Sequence, residues 1–187
     1  MTSTLGAQAE SEAPAERAAA FRQLLDELGF EDRRLTGAEL ERAALVVASR
    51  PELWEDLVVD SREARWWIVL YRTPAYEVRL LSWEFDQSSG WHDHGGSCGG
   101  FVVTSGELEE RYRGGDSVSV EEHLFVAGEH ACFDASHIHD VSHVEGRPAV
   151  SIHAYSPPLT SLTMYEPTPY GFVVSEVVPD DRRQART

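Results

Sequence analysis

From Trp66 onward the chain breaks into short runs rich in Val, Ile, Tyr, Phe and Trp, each closed by turn residues: "RWWIVLY", "YEVRLLSWEF", "GGFVVTSGELEERYR", "SVSVEEHLFV", "ACFDA", "HDVSHV" and "AVSIHAYS". Runs of this length, punctuated by Gly, Asp and Pro at roughly eight- to twelve-residue spacing, are the pattern of an antiparallel sandwich or barrel. That pattern confines any helices to the outside of the sheets. Two helices are predicted upstream. Phe21, Leu24, Leu25 and Leu28 recur at helical spacing and Gly29 ends the stripe. Thr36 followed by Glu39 reads as a capping box ahead of Leu40, Ala44 and Val47. "RPELWEDLV" predicts a third, shorter helix after Pro51. The expected organisation is a tail over 1–15, one mainly β domain over 16–175 with a helical cap (16–60) and a β-barrel (65–175), and a charged tail over 176–187. No internal repeat interrupts it.

Charge and cysteine usage exclude several functions. The chain has 187 residues, enough for one domain with a sizeable core. Its formal net charge of −16 would repel a phosphate backbone, so neither nucleic acid nor an anionic membrane is an expected partner. No apolar run reaches the ~18 residues of a bilayer span. The N-terminal "MTSTLGAQAESEAPAER" reads as a polar tail rather than a signal segment. Cys98 and Cys132 are too few for a disulfide framework. A cytoplasmic protein, monomeric or weakly homo-oligomeric, with small-molecule partners is expected.

Chemistry concentrates in "GWHDHGGSCGG", residues 90–100. On a strand, His92 and His94 point the same way, roughly 7 Å apart, with Asp93 opposite. Gly95, Gly96, Gly99 and Gly100 strip bulk from beside them, as happens at bulges and where a ligand approaches closely. Two imidazoles on one inward face outline a metal-ligand pair. A third ligand is available in "SHIHDVSHVEGRPAVSIHAYSPP", residues 136–158, from His137, His139 or His143, and spacing alone does not choose among them. Ser151, His153 and Tyr155 alternate on one strand face. A hydroxyl, an imidazole and a phenol in that order can form a hydrogen-bond relay ending in a Tyr O–H.

These motifs together resemble the cysteine dioxygenase family of thiol dioxygenases, within the cupin superfamily. The similarity runs from about Trp66 to Tyr165 and is most specific in "PAVSIHAYSPPL"; the N-terminal helices and Trp83, nine residues before His92, fit it as well. The resemblance implies a cupin-type antiparallel β-barrel or sandwich. It implies Fe²⁺ held by His92, His94 and His139, a catalytic relay of Ser151, His153 and Tyr155, and oxidation of a small thiol by O₂ to the sulfinic acid. Many cupins add a carboxylate ligand shortly after the H-x-H, where this sequence has Cys98 and Gly99. Three neutral imidazoles leave the ion its full charge, which favours a thiolate ligand and lowers the thiol's pKa. Many family members also crosslink the relay tyrosine to a cysteine. Gly99 stands at that place and Cys98 faces the other way, so no crosslink on Tyr155 is expected.

Substrate contacts are harder to assign. Cysteine-specific members carry a Tyr-x-Arg on an early strand whose arginine binds the substrate carboxylate. Here Tyr71 and Arg72 end the first strand, Arg79 and Trp83 share a face of the next, and Trp67, Tyr71, Leu81 and Trp83 join the two arginines as candidate substrate contacts. Either Arg72 fills the role through a shifted register, or Val69 sits there and the anchor is absent, with Arg79 as a candidate replacement. Cysteine is the default substrate. Aromatic faces can also cradle a quaternary ammonium, which keeps ergothioneine open beside 3-mercaptopropionate and cysteamine. A different metal-binding cupin enzyme, such as an isomerase, is the alternative of another class.

Overall fold

The computed structural model describes residues 15–30, 33–63, 65–113, 119–143 and 146–180. Two helices come first, α1 (Ala15–Asp26) and α2 (Gly37–Ala48). The capping box at Thr36 is present: its hydroxyl accepts from the Glu39 backbone N–H, while the Glu39 carboxylate accepts from the Thr36 N–H. The third helix expected after Pro51 is instead two 3₁₀ turns, Pro51–Leu53 and Glu55–Leu57. Trp54 interrupts them, with its indole N–H donating to the Val47 carbonyl. Among the described residues no helix is long and apolar enough to cross a membrane.

Eleven strands follow among the described residues, in two antiparallel sheets. The first sheet has the order β1-β2-β9-β4-β7, with β1 Trp66–Arg72, β2 Glu77–Trp83, β4 Cys98–Ser105, β7 His130–Phe133 and β9 Ala149–Ser156. The second has the order β11-β10-β3-β8-β5-β6, with β3 His92–Asp93, β5 Glu107–Arg113, β6 Val120–Val126, β8 His139–His143, β10 Ser161–Thr168 and β11 Gly171–Pro179.

Alternation on the first sheet explains how the site is placed. Val78, Leu80, Val102, Ile152 and Ala154 face outward into a cluster with Phe21, Leu25, Leu40 and Val47 of the helices. Leu81, Trp83, Phe101, Val103 and Tyr155 face inward into a second cluster between the sheets. Both faces are covered, so β2 and β9 are buried along their whole length. Gly100 lets α2 approach: a Cβ there would collide with the backbone of Glu41. The inward face carries the chemistry.

The C-terminal boundary differs from the sequence expectation. Position 176 lies inside β11, which pairs with β10 from Gly171 to Pro179. Asp180 then donates its N–H to the Thr160 carbonyl. Val178 is buried opposite Leu162 and holds this strand down, although its exposed charges read as a tail. The remainder of the expected C-terminal tail, and residues 1–14 of the N-terminal one, lie outside the described residues.

Candidate active site

His92 opens the two-residue strand β3, and His94 lies just beyond its end rather than on an extended strand. Gly95 has φ +60, and Asp93 accepts its backbone N–H, so the chain turns immediately after His94. The turn swings the His94 ring against that of His92, with centroids 4.9 Å apart. His139 starts β8 directly opposite His92. The ligand-capable nitrogens of His92, His94 and His139 all lie within 4.8 Å of one another, and the three rings are buried. Nε2 of His94 and Nε2 of His139 are 3.3 Å apart. Two imidazole nitrogens each about 2.1 Å from one ion lie about 3–3.5 Å apart, so the trio fits a single metal.

Each ring is oriented from behind. Nδ1 of His92 donates to the Gly90 carbonyl at 2.8 Å, which makes Nε2 the unprotonated nitrogen of the ring. Nδ1 of His139 donates to Oε1 of Glu110 at 2.6 Å. The Phe133 ring stacks on His94 at 4.6 Å. Gly99 makes that possible, because a Cβ there would collide with the Phe133 ring.

The other candidate histidines are engaged elsewhere. His137 precedes β8 in a turn, half-buried, and its Nε2 donates to the same Glu110 oxygen at 2.9 Å. Burial alone would raise the Glu110 pKa. The hydrogen bonds from His137 and His139 outweigh it and hold the carboxyl at about 2. His143 donates Nε2 to the Arg147 carbonyl.

The relay residues form a continuous chain on β9. The Trp83 indole N–H donates to the Ser151 hydroxyl oxygen at 2.9 Å. Ser151 Oγ lies 2.9 Å from Nε2 of His153, and Nδ1 of His153 lies 3.2 Å from the Tyr155 oxygen. Ser151 is fully buried, and His153 is its one acceptor among the described residues. Its O–H therefore donates to Nε2, and Nδ1 carries the ring proton and donates to the Tyr155 oxygen. Burial first, then the charges of His139 and Arg65, lower the His153 pKa to about 3, so the imidazole is neutral.

One pocket joins the two groups. It is lined by His92, His94, His139, His153 and Tyr155, with Trp67, Leu81 and Trp83 among its apolar walls. Arg79 lines it but is already occupied. Its Nε donates to Glu77 at 2.7 Å, and its two terminal nitrogens clasp Asp180 at 2.8 and 2.5 Å. Burial works against the Arg79 charge, but these carboxylates outweigh it and raise the pKa. The guanidinium lies flat over Trp67, 4.3 Å from its ring centre. Arg72 and Tyr71 do not enter. A bulge between Val69 and Tyr71 shifts the register of β1. Arg72 is left half exposed beside Glu77, and Tyr71 packs on Tyr76 in the outer cluster.

Sequence reasoning missed Arg65. Its guanidinium reaches the pocket 4.5 Å over the Trp83 ring. Nε and Nη1 are sealed from solvent and find no acceptor among the described residues. Burial lowers its pKa to about 10, so it stays charged at neutral pH. Alternation with Trp67 was the available signal, since residues 65 and 67 share a strand face.

Comparison with known proteins now settles the family. Residues 6–168 match the family model for cysteine dioxygenase type I. The chain belongs to the cysteine dioxygenase type I family. Family membership and the histidine trio support a cupin-type, metal-binding thiol dioxygenase. Two solved structures share the fold. One is an uncharacterized conserved protein with a double-stranded β-helix domain from Klebsiella pneumoniae, 18% identical, with TM-score 0.52 over 59% of this chain and 86% of that one. The other is a Thermus thermophilus protein, 22% identical, with TM-score 0.50 over 56% of this chain and 93% of that one.

Proposed function

We propose that this chain is an Fe²⁺-dependent thiol dioxygenase that converts a small thiol, cysteine by default, and O₂ to the sulfinic acid. The observation that carries the reading is one pocket lined by both a three-histidine cluster and the hydrogen-bonded pair His153 and Tyr155. His92, His94 and His139 would hold the metal, which supplies a site where thiolate and O₂ meet. The pocket residues do the rest. Tyr155 donates its O–H to charge that develops on the reacting oxygen or sulfur, with His153 and Ser151 fixing its direction. Trp67, Leu81 and Trp83 keep water out.

Arg65 narrows the substrate. Nε and Nη1 of Arg65, buried without an acceptor among the described residues, are costly to leave so until an anion pairs with them. A carboxylate on the substrate fits that need, which favours cysteine or 3-mercaptopropionate over cysteamine. Arg79 cannot offer the same grip, because Glu77 and Asp180 already fill its fork. The reaction is RSH + O₂ → RSO₂H, in which sulfur loses four electrons, O₂ gains them, and no external reductant is consumed. The iron-loaded protein under ¹⁸O₂ should give a sulfinate with two labelled oxygens. A product carrying one labelled atom, or peroxide released in step with thiol loss, would sink the assignment. Arg65→Met should raise KM for carboxylate-bearing thiols about tenfold or more while leaving cysteamine unaffected.

A further inference from the structure

We infer that Glu110 is a positioning residue for the metal centre, supplying through His139 the carboxylate that the ligand set itself lacks. The inference rests on the reading of His92, His94 and His139 as the metal site. Glu110 projects from β5 and is 5% exposed, one strand away from the histidine it serves. Its Oε1 accepts from Nδ1 of His139 at 2.6 Å, a short charge-assisted bond. That bond fixes the tautomer of His139. With the proton on Nδ1, the Nε2 lone pair points to His94 and the centre of the trio.

The three ligands are therefore not equivalent. Behind His92 stands a neutral carbonyl, that of Gly90, whereas behind His139 stands a carboxylate. A carboxylate hydrogen-bonded to a ligating imidazole makes it a stronger donor and passes part of its negative charge toward the metal. The full positive charge expected of three neutral imidazoles is thus tempered from one side only. His137 tunes the effect, because its Nε2 draws on the same oxygen at 2.9 Å.

Glu110, His137 and His139 also lie close enough together to hold a cation of their own. Their spacing argues for protons instead. One carboxylate oxygen sits at hydrogen-bond distance from both rings, and an ion there would have to displace both protons. We therefore assign one ion, at the three-histidine site.

Co²⁺ titration of the metal-free protein, followed by its visible bands, tests this without turnover. Glu110→Gln keeps the shape but not the charge and should weaken Co²⁺ binding by about 10–100-fold with shifted bands. Glu110→Asp keeps the charge but withdraws the oxygen; it should lose affinity too, and it carries the test if the glutamine variant does not fold. His137→Phe should stay within a few-fold of wild type. Equal affinity and unchanged bands in both Glu110 variants overturn the inference, as does the loss of a second bound equivalent in His137→Phe. Failure of the underlying site looks different: His92→Ala would then bind Co²⁺ as tightly as wild type.

Discussion

Tyr155 is the residue on which catalysis should turn most sharply. Its ring packs 5.3 Å from that of His94, and its oxygen accepts a hydrogen bond from the Nδ1–H of His153. Tyr155→Phe removes one preorganised donor and little volume. Turnover, read as O₂ uptake with an active thiol, should fall by about 10²–10³ with metal content unchanged. Wild-type turnover in that variant would make the relay purely structural. His153 gives a second, pH-based expectation. Burial keeps it neutral in the folded protein, with a pKa of about 3, whereas in the unfolded chain it takes a proton near about 6.5. Its contribution to stability is complete above the unfolded value and is lost as pH falls from about 6.5 toward 3. Denaturant melts of the metal-free protein should show wild type losing up to about 1.4 kcal/mol per pH unit more than His153→Gln across that interval. Parallel slopes would mean that the folded protein accommodates the proton. The relay's geometry was legible because alternation alone puts Ser151, His153 and Tyr155 on one face, whereas His92 and His94 meet through the turn at Gly95 and not through alternation. Arg65 was not legible, because its role depends on which of several arginines lacks a carboxylate, and partners distant in sequence decide that.

At the scale of elements, the glycines of β4 divide their work between its two faces. Gly99 makes room for Phe133 inside, and Gly100 makes room for α2 outside. Gly100→Ala should therefore push α2 off the sheet and cost about 1–3 kcal/mol in a thermal or denaturant melt. Co²⁺ affinity should be unchanged, because the side chain points away from the histidines. A variant as stable as wild type would show that the helix slides freely. The glycines were readable as a sign of close approach, but the sequence suggested a ligand where a helix and a phenylalanine ring fill the space. Gly99 lies opposite Tyr155 in the ladder, the place expected to lack a crosslinking cysteine. Cys98 turns the other way and donates its thiol to the Leu35 carbonyl. β10 and β11 were the least legible elements. Val173, Val174 and Val177 are exposed on an edge strand and have no inward alternation to betray them.

Across the whole molecule, function is built on one face of one sheet. The helices and the outer cluster contribute no pocket wall; they cover the back of β2 and β9. Two arginines line the pocket of a chain whose formal charge is −16, and Glu77 and Asp180 already balance one of them, Arg79. Asp180, just past the end of β11, reaches Arg79 on β2, 101 residues earlier.

The burial of β9 on both faces has a consequence in time as well as in space. It is the central strand of its sheet, paired with β2 on one side and β4 on the other. Its amides therefore have no local route to solvent. Deuterium should enter the backbone around Ser151, His153 and Tyr155 last of all, at a rate set by global unfolding, while β6 and β11 at the edges exchange through fraying. Early labelling of β9 would show that the first sheet opens on its own. If β9 labels last, the geometry of the catalytic phenol persists on heating until the fold itself is lost, and the lifetime of the relay is the lifetime of the native state.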